Sequence, residues 1–153
     1  MSELQKLISR SESATAAFMK GLQFVPKEKR DWKPAPSSRS ASEIAAHTTY
    51  WTIYFTKAIK GEKLTDPAED AWKASTKELK DSAQTEKLVE RVHQDFITAV
   101  KGLSEKDLDR VVEFPWGKEN VAKALDGGIW HANYHQGQLN YIQTLLRDQE
   151  DHF

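Results

Sequence analysis

Apolar residues recur every three or four positions over four separate stretches of the chain, which predicts four amphipathic helices. The first runs from Glu3 to about Lys20, with Leu4, Leu7, Ile8, Ala14, Phe18 and Leu22 on one stripe. Ser2 and Gln5 have the spacing of a capping box, and Gly21 and Pro26 supply the stop. A loop containing Asp31-Trp32-Lys33-Pro34 and Pro36 follows, and its proline and serine content argues against regular structure. Ser40 and Glu43 open the second helix with another capping box; Gly61 terminates it after about Lys60. Its inward stripe is Ile44, His47, Trp51, Tyr54 and Ala58.

Asp66-Pro67 predicts the start of a short helix, with proline in its preferred first position, and Glu69 to Lys80 carries only a weak pattern. The third long helix extends from about Thr85 to Lys101, burying Leu88, Val89, Val92, Phe96 and Val100, and Gly102 stops it. Ser104 to Leu108 reads as one further helical turn. Val111 to Gly117 reads as extended or looped, because Pro115 and Gly117 break both helix and strand. The fourth helix starts near Asn120 and runs to about Asp148. Its inner face is Leu125, Gly128, His131, Ala132, His135, Gln138, Leu139, Ile142 and Leu145. Gly127 and Gly128 each cost such a helix about 1 kcal/mol relative to alanine. Such a pair implies a kink, or the close approach of a neighbour or ligand. The expected fold is all-α: one domain over residues 1–153, a four-helix bundle with a longish crossover connection.

Composition narrows the partners. The 22 basic and 23 acidic residues balance, so neither nucleic acid nor an anionic membrane is expected. The chain has no cysteine, which excludes disulfides, thiolate ligands and a cysteine nucleophile; any thiol chemistry must use a thiol from another molecule. The N-terminal residues lack the basic and apolar regions of a signal peptide, and no apolar run approaches membrane-spanning length. The expected location is the cytoplasm. Five tryptophans are read as packing residues, with Trp32 and Trp116 placed in loops that could frame a pocket mouth.

The histidines change the picture most. His131 and His135 are four residues apart on the inner stripe of the last helix, so both rings project to one side, and His47 lies on the inner stripe of the second helix. Buried neutral imidazoles need hydrogen-bond partners, and these stripes offer few; a shared cation satisfies all three rings at once. Three imidazoles favour zinc, nickel or another late first-row divalent ion over magnesium or calcium. His93, at the edge of the third stripe, and His152, in a tail expected to be disordered, are left out of the set. Ala132 stands where a His-Glu-x-x-His protease carries its glutamate, so that chemistry is excluded. Gln138 shares the face of the pair and is a candidate to support a ligand or a helix contact, while Gly137 beside it would permit close helix approach. Glu43, one turn before His47, is the other candidate at the site's rim, with capping as its simpler role. Tyr50, Tyr54, Asn133 and Tyr134 lie near the ligands in sequence, with aromatic packing the simpler role.

Ser40-Ala41-Ser42-Glu43-Ile44-Ala45-Ala46-His47, preceded by the Asp31-Trp32-Lys33-Pro34 loop, resembles one signature of the DinB-like (DinB/YfiT-like) superfamily. His131-x3-His135-x-Gly137-Gln138-Leu139 resembles the other, and the likeness covers essentially the whole chain. The resemblance implies a four-helix bundle holding zinc or nickel on His47, His131 and His135, commonly as a homodimer. It implies thiol-dependent S-transferase or isomerase chemistry in the characterised members. A small-molecule substrate and a low-molecular-weight thiol are the expected partners. With no clear general base on the stripes, a metal that ionises a bound thiol or water would provide the nucleophile. The leading expectation is a metal-dependent thiol S-transferase; the alternatives are a metal-dependent hydrolase and a non-catalytic metal-binding or stress-response protein. A structural zinc site usually has four protein ligands, which weighs against the last.

Overall fold

Capping explains where the helices begin. Ser2 Oγ accepts from Gln5 N–H at 3.2 Å while Gln5 Oε1 accepts from Ser2 N–H at 2.9 Å, and α1 spans Glu3–Phe24. Ser40 and Glu43 make the same reciprocal pair at the start of α2, Ala41–Lys60. Gly61 ends α2 at φ 76°, the left-handed conformation in which a side chain is strained. α3 spans Ser82–Lys101, and α4 spans Val121–Leu145 behind an Asn120 cap. The computed structural model describes residues 1–65, 82–150 and 152, with the side chains of 82–85 excepted. The short helix expected at Asp66-Pro67, the weak pattern to Lys80 and Trp72 lie outside the described residues.

The bundle follows from which faces are apolar. α4 packs against α1 and α2, α2 also packs against α3, and α3 closes the ring against α1. Neighbours around the bundle are therefore α1, α4, α2 and α3, so the α1–α2 and α3–α4 connections run across diagonals. One core cluster joins Leu7, Tyr54, Phe96, Leu125 and Ile129; another joins Phe18, Leu22, Ile44, Val89 and Leu139. Among the described residues, no helix is long and apolar enough to cross a membrane.

Several local expectations are corrected. Gly21 does not stop α1, which runs on to Phe24. A Cβ on Gly21 would meet Leu139 and Asn140 in ordinary contact at 3.6 Å, and its carbonyl accepts from Gln143 Nε2 at 2.6 Å. The stop comes at Pro26, before which Val25 is extended, and Arg30, buried in the α1–α2 loop, satisfies the last carbonyls. Its Nη2 and Nε donate to the Leu22 and Val25 carbonyls, and its Nη1 pairs with Glu86 at 2.6 Å. The segment expected to be merely extended or looped forms a hairpin, β1 Val111–Phe114 and β2 Gly117–Asn120. Pro115 and Trp116 make its two-residue turn, where proline needs no N–H partner. Val112 and Phe114 face the core while Val111 and Glu113 face out. α4 ends at Leu145, and Leu145 itself is exposed while Leu146 packs inward.

Candidate metal centre

His47 is carried by α2, and His131 and His135 by α4, two helices that pack directly on one another. The three rings converge. His131 Nε2 lies 3.2 Å from His47 Nε2 and 3.2 Å from His135 Nε2. An ion at the usual nitrogen distance of about 2.0–2.1 Å, held tetrahedrally, sets neighbouring donors roughly 3.3 Å apart. The spacing fits, and the three-histidine group could hold a divalent metal ion.

Protonation reinforces the geometry. His135 Nδ1 is 2.7 Å from Gln138 Oε1, and a carbonyl oxygen only accepts, so Nδ1 carries the proton. That leaves Nε2 of His135 as a bare lone pair aimed at the other two rings. Burial, then the charges of Arg39 and of His135, push His47 down to about 3. Burial, then the neighbouring His135 and His47, push His131 down to about 3 as well. His135 is also lowered by burial, against the opposing hydrogen bond to Gln138. All three rings are thus held neutral, which is the ligand form. Three neutral rings with facing nitrogens have few protons to share, and a cation satisfies all three lone pairs at once.

An aromatic layer closes the apolar side. Trp51 lies on α2 with ring centroids 6.3 Å from His47 and 6.0 Å from His131. The hairpin turn folds Trp116 back onto Trp51, Tyr54 and Phe114, at 6.1, 6.0 and 5.0 Å. Trp116 is exposed at the hairpin turn, over Trp51 and Tyr54, and Trp32 is exposed in the α1–α2 loop. Gly127 and Gly128 make room for Phe55, whose ring would lie 3.4 and 3.5 Å from added Cβ atoms. The glycine pair thus admits a neighbouring side chain.

The other candidates take plainer places. Glu43 Oε2 accepts from Ser40 N–H, and Oε1 takes a 2.7 Å bond from Lys33. Burial alone would raise its pKa, but these bonds and the Lys33 and Arg39 charges hold it low, so it sits as a capping anion. The Tyr54 hydroxyl donates to the Thr65 carbonyl at 3.0 Å. Tyr50 packs edge-on against Trp51, Tyr134 stacks on Trp130, and Asn133 is exposed. Gly137 has nothing within 4 Å of a would-be Cβ, so it serves no helix approach. His93 is not at an edge but in the core, 2% exposed, stacked on Phe18 and with Nδ1 donating to the Val89 carbonyl at 2.8 Å. His152, expected to be disordered, stacks on Phe24 and pairs with Asp148 at 2.9 Å.

Arg39 is the residue that the sequence reading passed over. Its charge is felt at all three imidazoles. Arg39 directly precedes the Ser40 cap, outside the helical period, so the spacing that marks His47 gave no signal for it.

The sequence profile of the DinB superfamily matches residues 7–139. The chain belongs to the DinB superfamily. No curated protein matches its sequence significantly. Among solved structures, it resembles the DinB-like protein YjoA of Bacillus subtilis, with a TM-score of 0.74 and 20% identity over 95% of this chain and 94% of that one. The mycothiol-dependent maleylpyruvate isomerase is similar at TM-score 0.76 and 16% identity; 89% of this chain aligns, spanning 60% of the isomerase. YfiT of Bacillus subtilis, described as a probable metal-dependent hydrolase with an unusual four-helix bundle topology, matches at TM-score 0.70 and 15% identity over 94% of this chain and 87% of YfiT. The DinB/YfiT-like bundle is thereby the fold of this chain.

Proposed function

We propose that this DinB-superfamily protein is a metal-dependent enzyme working through His47, His131 and His135, with zinc or nickel as its ion. Its reaction is transfer of a low-molecular-weight thiol to a small electrophilic substrate. The observation that carries this reading is the convergence of three imidazole Nε2 atoms from two helices, with two separations of 3.2 Å. A bound divalent ion supplies Lewis acidity, which lowers the pKa of a thiol or water that reaches it.

The chain's own residues hold that centre ready. Burial keeps the three rings neutral, Gln138 fixes the proton of His135 on Nδ1, and Trp51 covers the apolar side. Three ligands rather than four favour a reacting centre over a structural staple. Among the described residues no carboxylate joins the three imidazoles, which favours activation by the ion over a separate general base. The fold shared with a mycothiol-dependent isomerase supports the thiol. The description of YfiT as a probable metal-dependent hydrolase supports a second reading, with water in the thiol's place.

Elemental analysis of the purified protein beside a His47→Ala/His131→Ala/His135→Ala variant tests the centre. About one equivalent of zinc or nickel is expected, lost in a variant that circular dichroism finds still folded. Absence of metal even after reconstitution would overturn both readings. Turnover of electrophiles that needs added thiol, and vanishes in His135→Ala, identifies the transferase; hydrolysis of activated esters without thiol identifies the hydrolase. A bundle that melts on chelation would instead mark a structural metal.

A further inference from the structure

Residues 127–146 contain no Asp, Glu, Lys or Arg, in a chain with 22 basic and 23 acidic residues. They make up most of α4, and its outward side chains there are large and apolar: Trp130, Tyr134, Tyr141 and Leu145 are 65, 52, 63 and 41% exposed. With Gly137 they recur every three or four positions, so they form one stripe along the helix. The outer faces of α1 and α3 carry charge instead, Arg10 and Glu12 on one, Glu90 and Lys101 on the other. Even the groove between those two helices is rimmed by matched ion pairs, Lys101 with Glu12 and Arg30 with Glu86. The four large side chains of the α4 stripe leave open roughly 500 Å², a size at which an exposed patch on a single chain is usually a contact surface. Depletion of charge together with Trp and Tyr is the composition of an interface core.

The pattern selects the partner. Tyr134 and Tyr141 stand three and four residues either side of Gly137, and Trp130 and Leu145 seven and eight, so the stripe is nearly symmetric about that glycine. An antiparallel copy crossing at Gly137 lays Tyr134 beside the second copy's Tyr141, and the reverse, as an isologous contact requires. On a twofold axis a residue meets its own copy, so a charge there would face its like; this stripe has none. A Cβ on Gly137 would meet nothing within 4 Å, which leaves room for a second backbone to come close. With Asn133 and Thr144, exposed beside the stripe, each copy approaches the roughly 800 Å² that a standard interface covers. A foreign protein steered by charge finds nothing to read on this face. The charges that flank it, Lys123 with Asp126 and Arg147 with Asp148, balance, unlike the basic border of a helix that lies on a membrane.

The face also adjoins the histidines. Tyr134, Gly137, Gln138 and Tyr141 line a groove of about 690 Å³ between α4 and the α1–α2 loop, and Gln138 accepts from His135 Nδ1. We infer that the uncharged face of α4 docks a second copy of this chain, crossed antiparallel at Gly137, and that the groove beside the histidine cluster is walled by both copies. The groove as a way into a reacting centre rests on the function proposed above; the pairing of copies does not.

Sedimentation equilibrium of the purified protein at micromolar concentration should give twice the 17.5 kDa mass of one chain. Trp130→Glu/Tyr141→Glu, at two side chains more than half exposed, should raise the dissociation constant at least about a hundred-fold and leave the circular dichroism spectrum unchanged. A monomeric wild type, or a dimer that persists in the double variant, would overturn the inference. The absence of cysteine makes the register readable. Gly137→Cys should cross-link to its own copy on oxidation with diamide, since a disulfide needs Cα atoms about 5.5–6 Å apart. Asp95→Cys, on the outer face of α3, should not. Failure of Gly137→Cys to cross-link, or equal cross-linking of Asp95→Cys, would overturn the crossing at Gly137. Removal of zinc from loaded protein by a chelator keeps the two proposals apart. Release should be several-fold faster from Trp130→Glu/Tyr141→Glu than from the wild type, and equal rates would overturn the shared wall. A dimer that never takes up zinc refutes the reaction centre alone.

Discussion

Gln138 shows how one side chain sets the chemistry of another. Its carbonyl fixes the tautomer of His135 and thereby decides which nitrogen faces the other two rings. Without that bond the His135 ring is free to turn or to carry its proton on Nε2, where it would block the centre. Gln138→Ala should therefore lower zinc affinity by about ten- to a hundred-fold with little change in the unfolding midpoint of the metal-free protein. Gln138→Glu should restore most of the affinity, since a carboxylate accepts the same proton. Competition against a chromophoric chelator measures both, and unchanged affinity in Gln138→Ala would show that the bond does not position His135.

At the scale of the element, α4 presents a contradiction: its middle carries Gly127 and Gly128, each costly to a helix. Contact with the Phe55 ring is the compensation, and at 3.4–3.5 Å from a would-be Cβ it is ordinary van der Waals contact rather than overlap. Gly128→Ala should thus raise stability by about 0.5–1 kcal/mol through helix propensity. Gly128→Leu should lower it, because Phe55 and Phe96 would have to move. Urea unfolding of the two variants decides, and a destabilised alanine variant would show that the rings cannot yield. The same helix marks what was legible in the sequence. Caps at Ser2 and Ser40, the helix start near Asn120, and the inward positions of His47, His131 and His135 follow from spacing alone, because helical period and capping are local. The β1–β2 hairpin was missed because Pro115 and Gly117 were weighed as breakers, although Val112 and Phe114 alternate with outward residues as a strand does. The end of α1 at Pro26 was legible, but Gly21 was weighed as a breaker although α1 runs through it to Phe24, and the Arg30 cap on its last carbonyls is a contact no local pattern encodes.

For the whole molecule, the order α1, α4, α2, α3 around the bundle is what brings His47 against His131 and His135 across 84 and 88 residues of chain. That placement puts four neutral imidazoles inside the fold, counting the core residue His93, and so ties stability to pH. The sign follows from which state takes up protons. An unfolded histidine protonates near pH 6.5, whereas burial holds His47 and His131 down to about 3 and lowers His135 and His93 as well. Below 6.5 the unfolded chain binds protons that the folded one refuses, so stability is full above that value and falls as the pH drops. At pH 5, His47 and His131 would each remove roughly 1 kcal/mol once their partial exposure is allowed for. The lowered carboxylates, Glu43 and Glu86 among them, lose their contribution only as pH falls through their own lower range, which leaves pH 5–6.5 to the histidines. Urea midpoints of metal-free protein should therefore drop steeply between pH 7 and 5, and the triple histidine-to-alanine variant should retain only the shallow slope due to His93. Saturating zinc should raise the midpoint at pH 7 and lose that advantage on acidification, since protons and the ion compete for the same nitrogens. A wild-type midpoint flat from pH 7 to 5 would mean that the imidazoles are solvated in the folded state, and a buried centre shared by α2 and α4 would then be ruled out.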